Sequence, residues 1–217
     1  MPETPAPGNG LDIGERVLER IRESGVVAVV RTATPRAAVE VSRALLSAGV
    51  GVIEVAFTVP GADEAIAALA AGAGDALVGA GTVLTTDQAR AAVRAGARFL
   101  FSPALTPAVA EVARTAGITY IPGVFTPSEI ATALAAGIRV LKLFPARMAG
   151  IAGLRALAEP FPDAAFIPTG GVEATDVAQW LRAGAVAVGV GSYLTRGGDP
   201  GARAREVLAA VAEARRS

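Results

Sequence analysis

The chain has 217 residues, of which 52% are hydrophobic and 18% are charged, and its 20 basic side chains balance its 20 acidic ones. It contains neither cysteine nor histidine, which excludes disulfides, thiolate nucleophiles, zinc sites built from these residues and Ser-His-Asp triads. The sequence has no run of basic residues that would indicate a nucleic-acid partner. The longest uncharged stretch has fourteen residues, whereas a membrane-spanning helix needs about 20 apolar residues. We therefore expect neither a nucleic-acid partner nor a membrane partner.

The first residues give few structural signals. Residues 1–10 are rich in proline and glycine and have neither the basic start nor the apolar segment of a signal peptide. We expect a flexible lead-in there and a cytoplasmic protein. Residues 11–24 carry apolar side chains at helical spacing, which predicts an extra amphipathic helix at the N-terminus. The remaining length suits one compact domain, which we assign to 11–217.

Short apolar runs then recur at a steady interval. Each spans about 6–8 residues rich in Val, Ile or Phe, which is typical of parallel strands buried on both faces. Helix-like segments separate them, and five of these end in a glycine that suits the left-handed position after a helix. The runs are Val26–Arg31, Val52–Phe57, Ala76–Thr82, Arg98–Pro103, Thr119–Val124, Val140–Pro145, Ala165–Gly171 and Ala185–Ser192, and the glycines are Gly49, Gly96, Gly117, Gly137 and Gly184.

The spacing of these glycines counts the repeated units. Gly96, Gly117 and Gly137 lie 21 and 20 residues apart, and the gaps from Gly49 to Gly96 and from Gly137 to Gly184 are 47 residues each, or two units. With the first strand added, eight strand–helix units result, which predicts an α/β fold of the (β/α)8 TIM-barrel type. An open doubly wound sheet is the alternative, but no glycine-rich dinucleotide fingerprint follows the first strand.

Two charged residues lie inside these apolar strands. Glu54 lies in the second strand, and Lys142, the single lysine beside nineteen arginines, lies in the sixth. A lysine removed from water can lose its proton and attack a carbonyl, and a nearby carboxylate can serve as its acid–base partner. The pair therefore predicts Schiff-base chemistry on a keto substrate. The alternatives are a buried ion pair without catalytic role and a phosphate anchor at Lys142.

Further candidates lie at the ends of strands, where barrels of this kind carry their reacting groups. Arg31 ends the first strand, where its guanidinium either grips a carboxylate or is solvated. Glycine-rich segments follow strands three, seven and eight, and the last two are common phosphate sites built from backbone N–H groups. The alternatives are tight turns for the glycines and helix N-caps for Thr82 and Ser192.

Seven ordered blocks of the chain closely resemble the 2-keto-3-deoxy-6-phosphogluconate aldolases, the class I aldolases of the Entner–Doudoroff pathway. The resemblance covers nearly the whole chain from about Leu11. The blocks are Gly51–Pro60 (GVIEVAFTVP), Val78–Val83 (VGAGTV), Phe101–Pro103 (FSP), Tyr120–Val124 (YIPGV), Leu141–Pro145 (LKLFP), Pro168–Val172 (PTGGV) and Gly189–Ser192 (GVGS).

The resemblance implies roles for individual residues. Lys142 would form the Schiff base and Glu54 would be the general acid–base, with no metal or other cofactor. Thr58 is a further candidate at the substrate site, where some members of the family carry an arginine whose charge threonine does not supply. The resemblance also implies a homotrimer. The remaining implied residues hold or line the pyruvate portion (Arg31, Thr82, Pro103, Phe144) or bind the phosphate (Gly170, Gly171, Gly191, Ser192).

The implied reaction is cleavage of 2-dehydro-3-deoxy-6-phosphogluconate to pyruvate and glyceraldehyde 3-phosphate. The nearest alternatives use the same lysine on the galactonate epimer or on 4-hydroxy-2-oxoglutarate. A non-catalytic barrel that binds a phosphorylated metabolite is the alternative from a different class. A metal-dependent pyruvate aldolase would need several carboxylates on neighbouring strand ends, and only Glu54 qualifies.

Overall fold

The computed structural model of the chain describes residues 13–72 and 74–216. The predicted lead-in at 1–10 lies outside the described residues, as do the first two residues of the predicted N-terminal helix. The helices are α1 (Ile13–Ser24), α2 (Pro35–Ser47), α3 (Ala62–Ala70), α4 (Thr86–Arg94), α5 (Pro107–Ala116), α6 (Pro127–Ala135), α7 (Ala146–Ala158), α8 (Ala174–Arg182), α9 (Ser192–Thr195) and α10 (Pro200–Arg215). The strands are β1 (Val26–Val30), β2 (Val52–Ala56), β3 (Leu77–Gly81), β4 (Phe99–Phe101), β5 (Thr119–Ile121), β6 (Gly123–Val124), β7 (Val140–Leu143), β8 (Ala165–Pro168) and β9 (Val188–Val190).

Local sequence signals account for where the helices begin and end. Thr34, Thr85 and Thr126 precede α2, α4 and α6, and the hydroxyl of each accepts a hydrogen bond from the N–H three residues later. The five glycines that close the repeats all have positive φ, between 66° at Gly117 and 102° at Gly184, as their positions after helices require.

The strands form two parallel sheets that meet at Pro122. The larger has the order β5-β4-β3-β2-β1-β9 and the smaller β6-β7-β8. The prediction of one continuous strand over Thr119–Val124 is wrong, because Pro122 has no N–H with which to continue the ladder and separates β5 from β6. At the other edge, a single bridge pairs Thr169 with Gly189, next to β8 and β9. The architecture is a mixed α/β fold built on parallel strands.

The strands divide their side chains between two buried clusters, because alternate residues point to opposite faces. Ile53, Val55, Leu141 and Leu143 belong to the large cluster that contains the inner residues of the helices. Val52 and Val140 belong to a smaller cluster, which also holds Val17 and Ile21 of α1, Phe99 and Phe101 of β4, and Ile167 of β8. Helix α1 thus covers one end of the smaller cluster. Within the described residues, no helix is long and apolar enough to cross a membrane.

Candidate active site

Lys142 and Glu54 meet on the strand face that carries the smaller cluster. Lys142 is the third residue of β7 and Glu54 the third of β2, so both share a face with the first residues of their strands. Their side chains are only 5% and 1% exposed, and the Nζ of Lys142 lies 3.5 Å from the Oε1 of Glu54. The structure therefore brings together the two strand charges that the sequence predicts as the catalytic pair.

Aromatic rings enclose the lysine amine. The Nζ of Lys142 lies 5.4 Å from the ring centroid of Phe101 and 5.5 Å from that of Phe144. Among the described residues, Glu54 is its one ion-pair partner. The Oε1 of Glu54 is buried and makes no hydrogen bond to any described group. Buried pairs that serve stability are normally held by additional hydrogen bonds, and Oε1 of Glu54 has none among the described groups.

Gly81 makes room for the carboxylate. It pairs with Ala56 at the end of β2, and a Cβ built on Gly81 would lie 1.8 Å from the Oε1 of Glu54. Real side chains do not tolerate so short a contact with a buried group. The carboxylate consequently lies directly against the backbone of β3, and glycine is needed there because of this approach.

We expect Gly81→Ala to displace the Glu54 carboxylate and lower kcat by about 100-fold, since a displacement of about 1 Å can cost that much in a catalytic site. Steady-state cleavage rates would measure the loss. Gly72→Ala is the matched control, because a Cβ at Gly72 meets no atom within 4 Å and the backbone of Gly72 is outside the left-handed region. An unchanged kcat for Gly81→Ala would mean that the carboxylate does not need this position.

Thr82, which follows β3, has a conformation that side chains rarely adopt. Its φ is +55°, in the left-handed region, and it is a β-branched residue. Such strain persists only where surrounding contacts enforce it, and it is concentrated at functional sites. Here the next residue, Val83, is held at both polar groups: its N–H donates to the carbonyl of Phe101 at 3.1 Å, and its carbonyl accepts from the buried Ser102 hydroxyl at 2.6 Å. The N-cap of α4 is Thr85, so an N-cap role for Thr82 is excluded.

The glycine loop after β8 lies close to the lysine. Gly170 and Gly171 have φ of +100° and +84°, and a Cβ on Gly170 would lie 3.1 Å from the ring of Phe144, the ring that also faces the lysine amine. Within the described residues, the N–H groups of Gly170 and Gly171 donate to no acceptor. Two unpaired N–H groups on a glycine turn can hold an anion.

The second glycine loop leads from β9 into α9. Gly191 is half-buried against Val29 of β1, and Ser192 is exposed as the first residue of α9. Arg203 of α10 holds this segment by donating to the carbonyls of Tyr193 and Arg196 at 2.5 and 2.6 Å. The Tyr193 hydroxyl donates to Glu206, and this hydrogen bond raises the pKa of Tyr193 above its ordinary value. Residue 192 thus begins a helix, where the sequence placed the end of the eighth strand run.

Arg31 and Thr58 contact each other. The Nε of Arg31 donates to the Oγ1 of Thr58 at 3.1 Å, and both side chains are exposed beyond the ends of β1 and β2. Pro103 is half-buried after β4, with its carbonyl packed against Gly123, the residue that pairs with Lys142. Among the described residues, Arg31, Thr58 and Pro103 make no hydrogen bond or ion pair with the lysine amine.

Three residues at the site had no predicted role of their own. Phe101 faces the amine, Ser102 fixes the backbone after Thr82, and Thr169 is 6% exposed at the end of β8 with its hydroxyl donating to Ile167. Ser102 and Thr169 are polar residues at the ends of apolar strands, which is the signal that could have found them. Phe101 carries no such signal, because an apolar ring in an apolar strand looks like ordinary core.

The chain is similar to aldolases that are already known. Residues 17–201 match the family model of the KDPG and KHG aldolases. The 2-dehydro-3-deoxy-phosphogluconate aldolase of Treponema pallidum is 40% identical over 178 residues, which are 82% of this chain and 83% of that protein. The 2-dehydro-3-deoxy-6-phosphogalactonate aldolase of Escherichia coli K12 is 36% identical over 88% of this chain and 94% of its own length.

A solved structure adds the chemistry of a relative. The KDPG aldolase of Legionella pneumophila, with pyruvate captured as a covalent carbinolamine intermediate, superposes with a TM-score of 0.78 at 31% identity, covering 89% of this chain and 95% of that one. With a family model that matches most of its length and relatives of this similarity, the chain belongs to the KDPG and KHG aldolase family.

Proposed function

We propose that this protein is a class I aldolase that cleaves 2-dehydro-3-deoxy-6-phosphogluconate to pyruvate and glyceraldehyde 3-phosphate. The observation that carries the proposal is the buried pair of Lys142 and Glu54, 3.5 Å apart and enclosed by aromatic rings. An amine and a carboxylate at this separation can exchange a proton, which frees the amine to attack a carbonyl.

The reaction then follows from these two groups. The Lys142 amine adds to the C2 carbonyl, and the carbinolamine loses water with protons supplied and removed by Glu54, which leaves a protonated imine. Glu54 removes the proton of the C4 hydroxyl, the C3–C4 bond breaks, and its electron pair flows to the imine nitrogen. Glyceraldehyde 3-phosphate departs. Glu54 returns the proton to C3 of the enamine, and water hydrolyses the imine to release pyruvate and the free lysine.

The other predicted residues bind the substrate in this proposal. Thr82 holds the pyruvate carboxylate together with Arg31, and Thr58 orients Arg31 through their hydrogen bond. Pro103 and Phe144 line the pyruvate portion. The phosphate lies on the backbone of Gly170, Gly171, Gly191 and Ser192. The unpaired N–H groups of the first two support this assignment, as do the phosphorylated substrates in the names of both relatives.

Borohydride trapping with pyruvate tests the proposal. We expect reduction to leave a carboxyethyl group on Lys142, found by mass spectrometry of the peptide that contains it, and none without pyruvate. Since Lys142 is the single lysine in the sequence, the adduct has one candidate side chain. Absence of an adduct in folded protein would overturn the Schiff-base mechanism and favour the non-catalytic binding barrel.

Substrate choice needs a separate measurement, because the same two groups serve any substrate with a pyruvate portion. The E. coli relative is named for the galactonate epimer and the family model for a second aldolase activity as well. We expect kcat/KM to be highest for the gluconate substrate, lower for its galactonate epimer, and lowest for 4-hydroxy-2-oxoglutarate, which has no phosphate to bind. A reversed order would assign the chain to one of the alternative substrates.

We also propose that the two sheets form one closed (β/α)8 barrel with α1 as an extra N-terminal helix, and that three copies associate. The chain continuing through Pro122 and the bridge between Thr169 and Gly189 support closure of the barrel.

Exposed apolar side chains support the association of copies. They follow three different strands and would be buried between copies: Leu84, Phe125 and Met148. A place in the Entner–Doudoroff pathway and in the cytoplasm stays a prediction.

A further inference from the structure

Arg147 lies beside the glycine loop that follows β8. It is the second residue of α7, and its N–H donates to the carbonyl of Gly170 at 2.9 Å, while the N–H of Ala146 donates to the carbonyl of Thr169 at 2.8 Å. These two bonds fix the first turn of α7 to the loop. The position of Arg147 relative to Gly170 and Gly171 is therefore set by the backbone.

The arginine stem crosses the face of Gly171. A Cβ built on Gly171 would lie 2.8 Å from the Cβ of Arg147 and 3.1 Å from its Cδ. Gly171 has a φ of +84°, so the position disfavours a side chain on two counts. The absence of a side chain at residue 171 lets the Arg147 side chain pack flat on the loop.

The positive charge of the Arg147 guanidinium has no carboxylate partner among the described residues. The side chain is exposed, and within the described residues it makes no ion pair or side-chain hydrogen bond. By contrast, Arg36 and Arg114 each pair with a glutamate on their own helix. An exposed cation whose aliphatic stem packs on a loop with two unpaired N–H groups combines two features that favour an anion.

We propose that Arg147 binds the phosphate of the substrate and thereby raises the preference of this enzyme for phosphorylated keto acids. The inference rests on the proposed function, which assigns the phosphate to the backbone of the same loop. The guanidinium adds a planar donor group that can engage two phosphate oxygens at once. No covalent step is involved, because the phosphate remains on the aldehyde product. In the sequence, Arg147 follows the LKLFP block and resembles an ordinary helix charge.

The test compares Arg147→Ala with wild type on two substrates, 2-dehydro-3-deoxy-6-phosphogluconate and the non-phosphorylated 4-hydroxy-2-oxoglutarate. We expect KM for the phosphorylated substrate to rise about 10-fold or more, because a hydrogen bond to a charged group is lost. We expect kcat to be nearly unchanged, because the phosphate takes no part in the reaction and its contact with Arg147 contributes equally to the ground and transition states. KM for the non-phosphorylated substrate should not change. Arg147→Lys keeps the charge without the planar fork and should lie between. Arg155→Ala is the matched control, an exposed arginine in the second half of α7.

The outcomes separate this inference from the proposed function. Borohydride trapping with pyruvate, which has no phosphate, should be equal in Arg147→Ala and wild type. If wild type prefers the phosphorylated substrate and Arg147→Ala keeps that preference in full, the role of Arg147 is overturned while the aldolase assignment stands. An equal loss on both substrates would also overturn it, since that result indicates a general structural effect. If wild type forms no pyruvate adduct, the proposed function itself fails, and the phosphate role of Arg147 fails with it.

Discussion

Lys142→Ala is expected to lower the rate of retro-aldol cleavage at least about 1,000-fold, because removal of an active-site nucleophile eliminates the covalent route altogether. The same variant should give no adduct on borohydride reduction with pyruvate. Cleavage is measured as pyruvate released per enzyme, and trapping by intact mass. Normal cleavage by this variant would refute the Schiff-base mechanism.

A second variant of Lys142 is needed, because the alanine substitution removes the partner of the Glu54 carboxylate. Lys142→Ala leaves the 1% exposed Glu54 without its cation, and unpaired buried charges are strongly destabilising. Lys142→Arg keeps a positive charge beside Glu54 but cannot act as a nucleophile, because arginine stays protonated. We expect both variants to be inactive, and circular dichroism with thermal unfolding to show a folded protein for Lys142→Arg. Loss of activity in the alanine variant alone would indicate a role in stability.

Glu54→Gln is expected to lower kcat by about 100- to 10,000-fold, the usual contribution of general acid–base catalysis. Glutamine has nearly the same shape, so the site next to Gly81 stays filled and the loss reports on proton transfer. The lysine is still present, so the pyruvate adduct should still form, more slowly. Separate measurements of kcat and of the trapping rate distinguish this result from general disruption of the site.

Glu64→Gln in α3 is the matched control for the glutamate, since Glu64 is exposed and distant from β7. It should leave kcat unchanged. Because Glu54 and Lys142 act together in the same steps, the double variant Glu54→Gln, Lys142→Ala should be no slower than Lys142→Ala alone. A wild-type kcat in Glu54→Gln would refute the acid–base role of Glu54 and leave the role of Lys142 to the trapping experiment.

The repeat pattern could be predicted from the sequence because it depends on local physics. Parallel strands covered by helices must be apolar on both faces, so charged residues within them stand out, and Glu54 and Lys142 were found in this way. A glycine is favoured after each helix for the left-handed turn, so Gly96 and Gly117 mark the ends of units without any tertiary information. Pro122 is also visible in the sequence, but the prediction of one strand over Thr119–Val124 does not take its missing N–H into account.

Contacts across strands could not be predicted in the same way. The face of Lys142 follows from alternation with a period of two, but its 3.5 Å separation from Glu54 depends on the register of several strand pairs between β2 and β7. The same holds for the Phe101 ring beside the amine. The resemblance to a known family supplied the role of Thr82, whereas its left-handed backbone, fixed through Val83, is visible only in the structure.

Hydrophobic periodicity and residue type are properties of short segments, so they already indicate a repeated strand–helix protein with a lysine and a glutamate inside its apolar strands. Three contacts depend instead on how the elements pack: the carboxylate of Glu54 lies against Gly81, Arg31 donates to Thr58, and Arg147 packs on Gly171. Each of these contacts joins residues 24 to 27 positions apart in the sequence. Their distance is set by how whole strands and helices pack, and no local pattern encodes it.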